Sequence, residues 1–150
     1  MCRICWRLDF EFVKNIKFVI VDVDGVLTDG TIYIDSQGCE TKAFSVLDGT
    51  GISYLHRVSI KTAIISGRNC NAVTHRAKEL GIEDVYQGIK NKLDAYNQLL
   101  EKYALRDEEI CYIGDDLIDL PILYRVGFSV AVANASPIVK RQSDYVTKAR

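Results

Sequence analysis

Five short apolar runs punctuate the chain: Phe18-Val19-Ile20-Val21, Thr62-Ala63-Ile64-Ile65, Val85-Tyr86, Ile110-Cys111-Tyr112-Ile113 and Ser129-Val130-Ala131-Val132. They are rich in β-branched residues and are continuous rather than alternating, the pattern of strands buried on both faces of a parallel sheet. The segments between them carry apolar residues at spacings of three and four, which predicts helices. The first is expected over Ile52–Val58, entered through a loop at Asp48-Gly49-Thr50-Gly51. The second spans Cys70–Leu80, with Val73, Ala77 and Leu80 on one face and Gly81 as its C-cap. The third has Leu93, Tyr96, Leu100 and Tyr103 as its apolar stripe, and shorter helices are expected near Pro121–Val126 and Pro137–Gln142. A last strand is expected at Tyr145-Val146-Thr147. Thr31–Ile34 and Thr41–Phe44 flank the polar turn Asp35-Ser36-Gln37-Gly38 and read as a β-hairpin. Strands alternating with helices give an α/β fold, a Rossmann-like parallel sheet covered on both faces and linked by right-handed crossovers.

Length and composition narrow the classes. The 150 residues, 48% hydrophobic and 26% charged, suit one domain with a real core and leave no room for a second large one. We divide the chain into a lead-in at 1–16 and a domain at 17–150 carrying the hairpin at about 31–44. A net charge of −1 gives no basic field for nucleic acid. Five scattered cysteines favour reduced thiols, and Cys2 and Cys5 lack the further ligands a zinc site needs. Charges at Arg3, Arg7, Asp9 and Glu11 interrupt any signal-peptide core, and no run reaches transmembrane length. The expectation is a cytoplasmic protein with no membrane partner.

The chemistry sits where strands end. In open α/β sheets the loops at the carboxyl ends of strands build the site. Here they read Asp22-Val23-Asp24-Gly25-Val26-Leu27-Thr28, Ser66-Gly67-Arg68 and Gly114-Asp115-Asp116, with Asp119 following and Lys92 at a helix start. Two acids closing a buried strand are costly unless a cation neutralises them, and a hard divalent metal such as Mg²⁺ takes oxygen ligands. Each piece alone has an ordinary explanation: Ser-Gly as a turn, Gly-Asp-Asp as a helix cap, Lys92 as a solvated lysine, His56 and His75 as surface or packing residues. Together and in order they supply what phosphoryl transfer requires. Asp22 is the expected nucleophile and Asp24 the general acid and base. Ser66 and nearby amides, with Thr28 as a further donor, would bind phosphoryl oxygens, and Lys92 would neutralise charge. Asp22, a backbone carbonyl of Asp24 and Asp115 would hold Mg²⁺, with Asp116 and Asp119 holding or extending that shell.

These motifs resemble the haloacid dehalogenase (HAD) superfamily of phosphatases. The stretches 22–30, 42–44, 48–52, 86–88, 91–93 and 112–121 are similar to the 3-deoxy-D-manno-octulosonate 8-phosphate (KDO 8-phosphate) phosphatases, over roughly residues 16–148. The resemblance implies a HAD-type fold without a large cap domain, a Mg²⁺-dependent homotetramer associating through its hairpins, and a product that feeds lipopolysaccharide synthesis. It also implies that Asp48, Gly49, Arg68 and Arg76 contact the sugar-acid substrate. Two departures stand out: Leu47 lies where the family often has arginine, and relatives continue into a Gly-rich, Arg-containing tail past the position of Arg150. The competing readings are a phosphatase for another sugar-acid phosphate, such as a nine-carbon 9-phosphate, and a catalytically weak oligomerisation module.

Overall fold

The computed structural model describes residues 12–148. Most of the lead-in, with Cys2, Cys5 and Trp6, lies outside them. From a short 3₁₀ turn at Phe12–Asn15 the chain enters β1 (Phe18–Val21), and Ile16 is already buried in the core. The hairpin follows as β2 (Tyr33–Ile34) and β3 (Glu40–Thr41), then α1 (Val46–Arg57), β4 (Lys61–Ile65), α2 (Asn71–Leu80), β5 (Asp84–Tyr86) and α3 (Lys92–Tyr103). The rest is β6 (Ile110–Gly114), α4 (Leu120–Leu123), β7 (Phe128–Ala131), α5 (Pro137–Gln142) and β8 (Tyr145–Val146).

Six strands form a wholly parallel sheet in the order β5-β4-β1-β6-β7-β8. From β1 the chain winds outward through β4 to β5, then returns across β1 to β6. With right-handed crossovers this puts α1 and α2 on one face and α3, α4 and α5 on the other, and the packed helix pairs are α1–α2, α3–α4 and α4–α5. β1 is buried along its whole length, as its unbroken apolar run demands. The reversal of winding beside β1 is a topological switch point, where ligands bind in such sheets.

Three expectations are corrected. α1 starts at Val46, six residues before the expected Ile52, because the Ser45 hydroxyl caps it by accepting from the Leu47 amide at 3.1 Å. Of its two glycines, Gly49 is a packing device, whereas a Cβ at Gly51 would meet open space. A Cβ at Gly49 would lie 2.6 Å from Arg76 Nη2 and 3.0 Å from Leu80 Cδ2, so a residue that reads as a turn marks the close approach of α1 to α2. The hairpin ladder has only two residue pairs, Tyr33 with Thr41 and Ile34 with Glu40, and Asp35 closes its turn by accepting from the Gln37 and Cys39 amides at 2.8 Å each. In α3 the stripe is rotated: Lys92, Ala95, Tyr96 and Leu99 are buried, while Leu93, Leu100 and Tyr103 pack at the margin.

Candidate active site

The ladder between β1 and β6 runs one residue past β1, since the Asp22 amide donates to the Ile113 carbonyl at 3.0 Å. That bond fixes the Asp22 backbone at the rim of the sheet. The next residues curl into a tight loop in which the Val23 carbonyl accepts the amides of Val26, Leu27 and Thr28. Thr28 is part of this loop rather than a free donor. Its hydroxyl donates to the Val23 carbonyl and accepts from the Gly25 and Gly30 amides at 3.2–3.3 Å. Gly25 adopts a φ of +92°, and a Cβ there would lie 2.1 Å from Asp115 Oδ2, so only glycine lets the two loops approach. Asn134 secures the same turn by donating to the Gly25 carbonyl at 2.9 Å.

Lys92 is the pivot of the site. Asn91 caps α3 and places Lys92 as its first residue, but the side chain runs inward and is only 1% exposed. Its Nζ lies 2.8 Å from Asp22 Oδ2 and 2.7 Å from Asp119 Oδ1. Burial alone would lower the ammonium's pKa; Asp22 and Asp119 outweigh that and raise it. Asp119 is fully buried and surrounded by donors. Lys92 and the Tyr112 hydroxyl (2.6 Å) reach Oδ1, and the Asp115 and Asp116 amides (3.0 and 3.2 Å) reach Oδ2. It therefore orients the Asp115 loop and Lys92, with both its oxygens already engaged.

The acids Asp22, Asp115 and Asp119 offer oxygens within 4.8 Å of one another. Burial, with Asp119 adding repulsion and Lys92 opposing, pushes Asp22 up to about 6. Burial and the neighbouring acids Asp22, Asp119 and Asp116 push Asp115 up to about 7. Asp115 Oδ1 is buried with no hydrogen-bond partner. An orphaned carboxylate oxygen amid an excess of negative charge is what a hard divalent cation satisfies, so the residues present fit such an ion.

Asp24 stands apart from this cluster. Its carboxylate pairs with Lys42 Nζ, whose side chain is 1% exposed and which also lies 2.7 Å from Glu40 Oε1. Glu40 in turn takes Arg68, with Nη2 at 2.7 Å and Nε at 3.4 Å. Arg68 and Lys42 hold the Glu40 carboxyl down at about 2. Composition and strand-end reading missed Glu40 and Lys42, since neither ends a sheet strand; two opposite charges two residues apart on a hairpin were the available signal. Ser66 is buried at the end of β4, where its Oγ accepts from the Arg68 amide at 3.3 Å and keeps its own proton for another acceptor.

Of the residues expected at the substrate, Arg68 reaches the Asp24 side. Arg76 does not: its guanidinium binds Glu79 at 2.9 Å and the Ser45 carbonyl at 3.0 Å, and covers buried Gly49 in the α1–α2 contact. Asp48, raised by burial against the opposing Arg76 charge, lines a cleft of about 290 Å³ with Leu27, Thr28 and Phe44. Leu47 is 80% exposed beside it.

The profile of haloacid dehalogenase-like hydrolases matches residues 83–150. The chain is 50% identical over 135 residues to the 3-deoxy-D-manno-octulosonate 8-phosphate phosphatase KdsC of Escherichia coli K12, covering 90% of this chain and 72% of that protein. The crystal structure of the same enzyme from Yersinia pestis superposes with a TM-score of 0.90 at 48% identity, over 92% of this chain and 75% of that one. The Moraxella catarrhalis phosphatase, solved with magnesium, phosphate and KDO, gives 0.90 at 43% identity, over 93% and 80%. The parallel sheet, the acid cluster around Lys92 and this similarity agree, and the chain belongs to the 3-deoxy-D-manno-octulosonate 8-phosphate phosphatase family of haloacid dehalogenase-like hydrolases.

Proposed function

We propose that this protein hydrolyses KDO 8-phosphate to KDO and inorganic phosphate, in a Mg²⁺-dependent reaction through an aspartyl-phosphate on Asp22. The observation that carries the reading is the buried Lys92 ammonium shared by Asp22 and Asp119, beside the unpartnered oxygen of Asp115. The Asp22 carboxylate attacks phosphorus while the ester oxygen leaves with the proton of Asp24. Asp24 then takes a proton from water, whose oxygen attacks phosphorus and frees Asp22 and phosphate. Lys92 offsets negative charge on Asp22 and on the phosphoryl group, and Ser66 donates to a phosphoryl oxygen. Lys42 holds the Asp24 carboxylate in place. Asp22, Asp115 and the Asp24 carbonyl would hold Mg²⁺, which when bound supplies positive charge against the repulsion between nucleophile and phosphate.

On the same reading Arg68 takes the carboxylate of the sugar acid and Asp48 lines the cleft beside it, while Gly49 and Arg76 shape that side of the site through the α1–α2 contact. The hairpin exposes Ile32, Tyr33 and Ile34 at 45%, 46% and 63%, an apolar edge that supports association of hairpins in a homotetramer. Among the described residues no helix is long and apolar enough to cross a membrane. Cys39, Cys70 and Cys111 are free thiols, in keeping with the cytoplasm.

The test is phosphate release from KDO 8-phosphate with Mg²⁺, beside an aryl phosphate and the Asp22→Asn variant. Preference for the sugar phosphate, lost at least a thousandfold in the variant, is expected. Better turnover of a nine-carbon 9-phosphate would move the substrate, and no release from any phosphate would favour an oligomerisation role. A monomer by light scattering would refute the tetramer.

A further inference from the structure

Glu40 and Lys42 connect two parts of the site that the reaction uses separately. The run of contacts is Arg68–Glu40–Lys42–Asp24, with Glu40 as its middle carboxylate, 14% exposed. The hairpin that carries it is anchored nearby, where the Cys70 thiol donates to the Glu40 carbonyl at 3.6 Å. Glu40 grips the Nε–Nη2 edge of the Arg68 guanidinium. The Nη1 end of the planar fork is left for another acceptor.

We propose that Glu40 is a positioning residue for recognition of the substrate's acid group, aiming Arg68 at the carboxylate and fixing its distance from Asp24. The proposal rests on the phosphatase reading above. An arginine nearly half exposed, as Arg68 is at 45%, would otherwise sample many rotamers and give up that freedom on each binding event. Held by Glu40, the guanidinium is preorganised. Through Lys42, the same carboxylate ties the acid-reading end of the site to the general acid at the phosphoester end. The span between them then selects phosphates whose carboxylate lies at the matching distance, and a phosphate without a carboxylate gains nothing from the contact between Glu40 and Arg68.

The experiment is steady-state kinetics of the Mg²⁺-loaded parent, Glu40→Ala, Glu40→Gln and Arg68→Ala on KDO 8-phosphate and on an aryl phosphate. In Glu40→Ala the KM for the sugar phosphate should rise roughly 10- to 30-fold, the order set by an arginine's rotamer freedom, and any loss on the aryl phosphate, transmitted through Lys42 and Asp24, should be several-fold smaller. Glu40→Gln, which keeps an acceptor oxygen, should fall in between, and Arg68→Ala should show at least the Glu40→Ala effect. An unchanged KM would overturn the proposal. A lowered KM would also overturn it, showing that Glu40 competes with the substrate's carboxylate. Equal losses on both substrates would show that Glu40 only supports Lys42 and Asp24. A parent active on the aryl phosphate alone would overturn the substrate reading and this role with it, whereas a parent active on the sugar phosphate with an unaffected Glu40→Ala overturns the role of Glu40 alone.

Discussion

Asp119→Asn changes one atom at the centre of the site, and the geometry sets its cost. All four partners of the carboxylate are donors: Lys92 Nζ, the Tyr112 hydroxyl, and the amides of Asp115 and Asp116. An amide side chain has one accepting oxygen and one donating NH₂, so either orientation points NH₂ at two donors. The cheaper choice keeps the oxygen on Lys92 and Tyr112 and strands the two backbone amides, at about 1–3 kcal/mol each. The alternative turns NH₂ toward the buried ammonium and leaves it to Asp22, while the Tyr112 hydroxyl loses its acceptor, a larger cost because a charged group is involved. We expect a loss of about 3–4 kcal/mol, which at about 2–4 °C per kcal/mol for a chain of this size lowers Tm by about 10 °C. Thermal unfolding followed by circular dichroism, in chelator, reads this without interference from bound metal. Tyr112→Phe removes one donor and leaves no donor facing a donor, so it should cost only about 1 kcal/mol. An Asp119→Asn protein melting within about 2 °C of the parent would refute the acceptor-only role assigned to Asp119.

Gly25→Ala should fold with a small penalty for the positive φ but push Asp115 aside, raising the Mg²⁺ concentration for half-maximal activity at least tenfold; an unchanged Mg²⁺ titration would contradict the close approach of the two loops. The raised carboxyls of Asp22 and Asp115 make opposite predictions with and without metal. In the metal-free protein the fold binds more protons than the unfolded chain between about pH 4 and 7, so its Tm should rise as pH falls from 7.5 toward 5.5. Metal must displace those protons, so apparent Mg²⁺ affinity by calorimetry should weaken below about pH 7, roughly tenfold per unit for each proton released. Glu40 works in the other direction. Its carboxyl is held at about 2, so the stability it lends the hairpin is present above its unfolded value and lost as pH falls toward 2, which hydrogen exchange of the hairpin amides would detect.

The sequence by itself determined the sheet and the chemistry at its rim. Apolar runs without alternation can be buried only on both faces, so β1, β4, β6 and β7 were legible, and with them the positions of Asp22, Ser66 and Asp115 at their ends. Glycine was ambiguous. Gly49 and Gly51 look like a loop in one dimension, and only the 2.6 Å approach of Arg76 shows why the helix needs a missing side chain at Gly49. The same contact removes Arg76 from the acid cluster, a distinction that spacing along the chain does not contain. Tertiary structure also decided the roles of the charges. Lys92 as a first-turn residue reads as solvated, and becomes the pivot because α3 packs its first turn over the ends of β1 and β6, where Asp22 and Asp119 outweigh the cost of burial. Glu40 and Lys42 lie on a hairpin outside the main sheet, so no strand-end rule reaches them; folding brings them to Arg68 and Asp24, 28 and 18 residues away. Periodicity reports which face of an element is buried, whereas the partner of a charge is fixed only when distant elements meet.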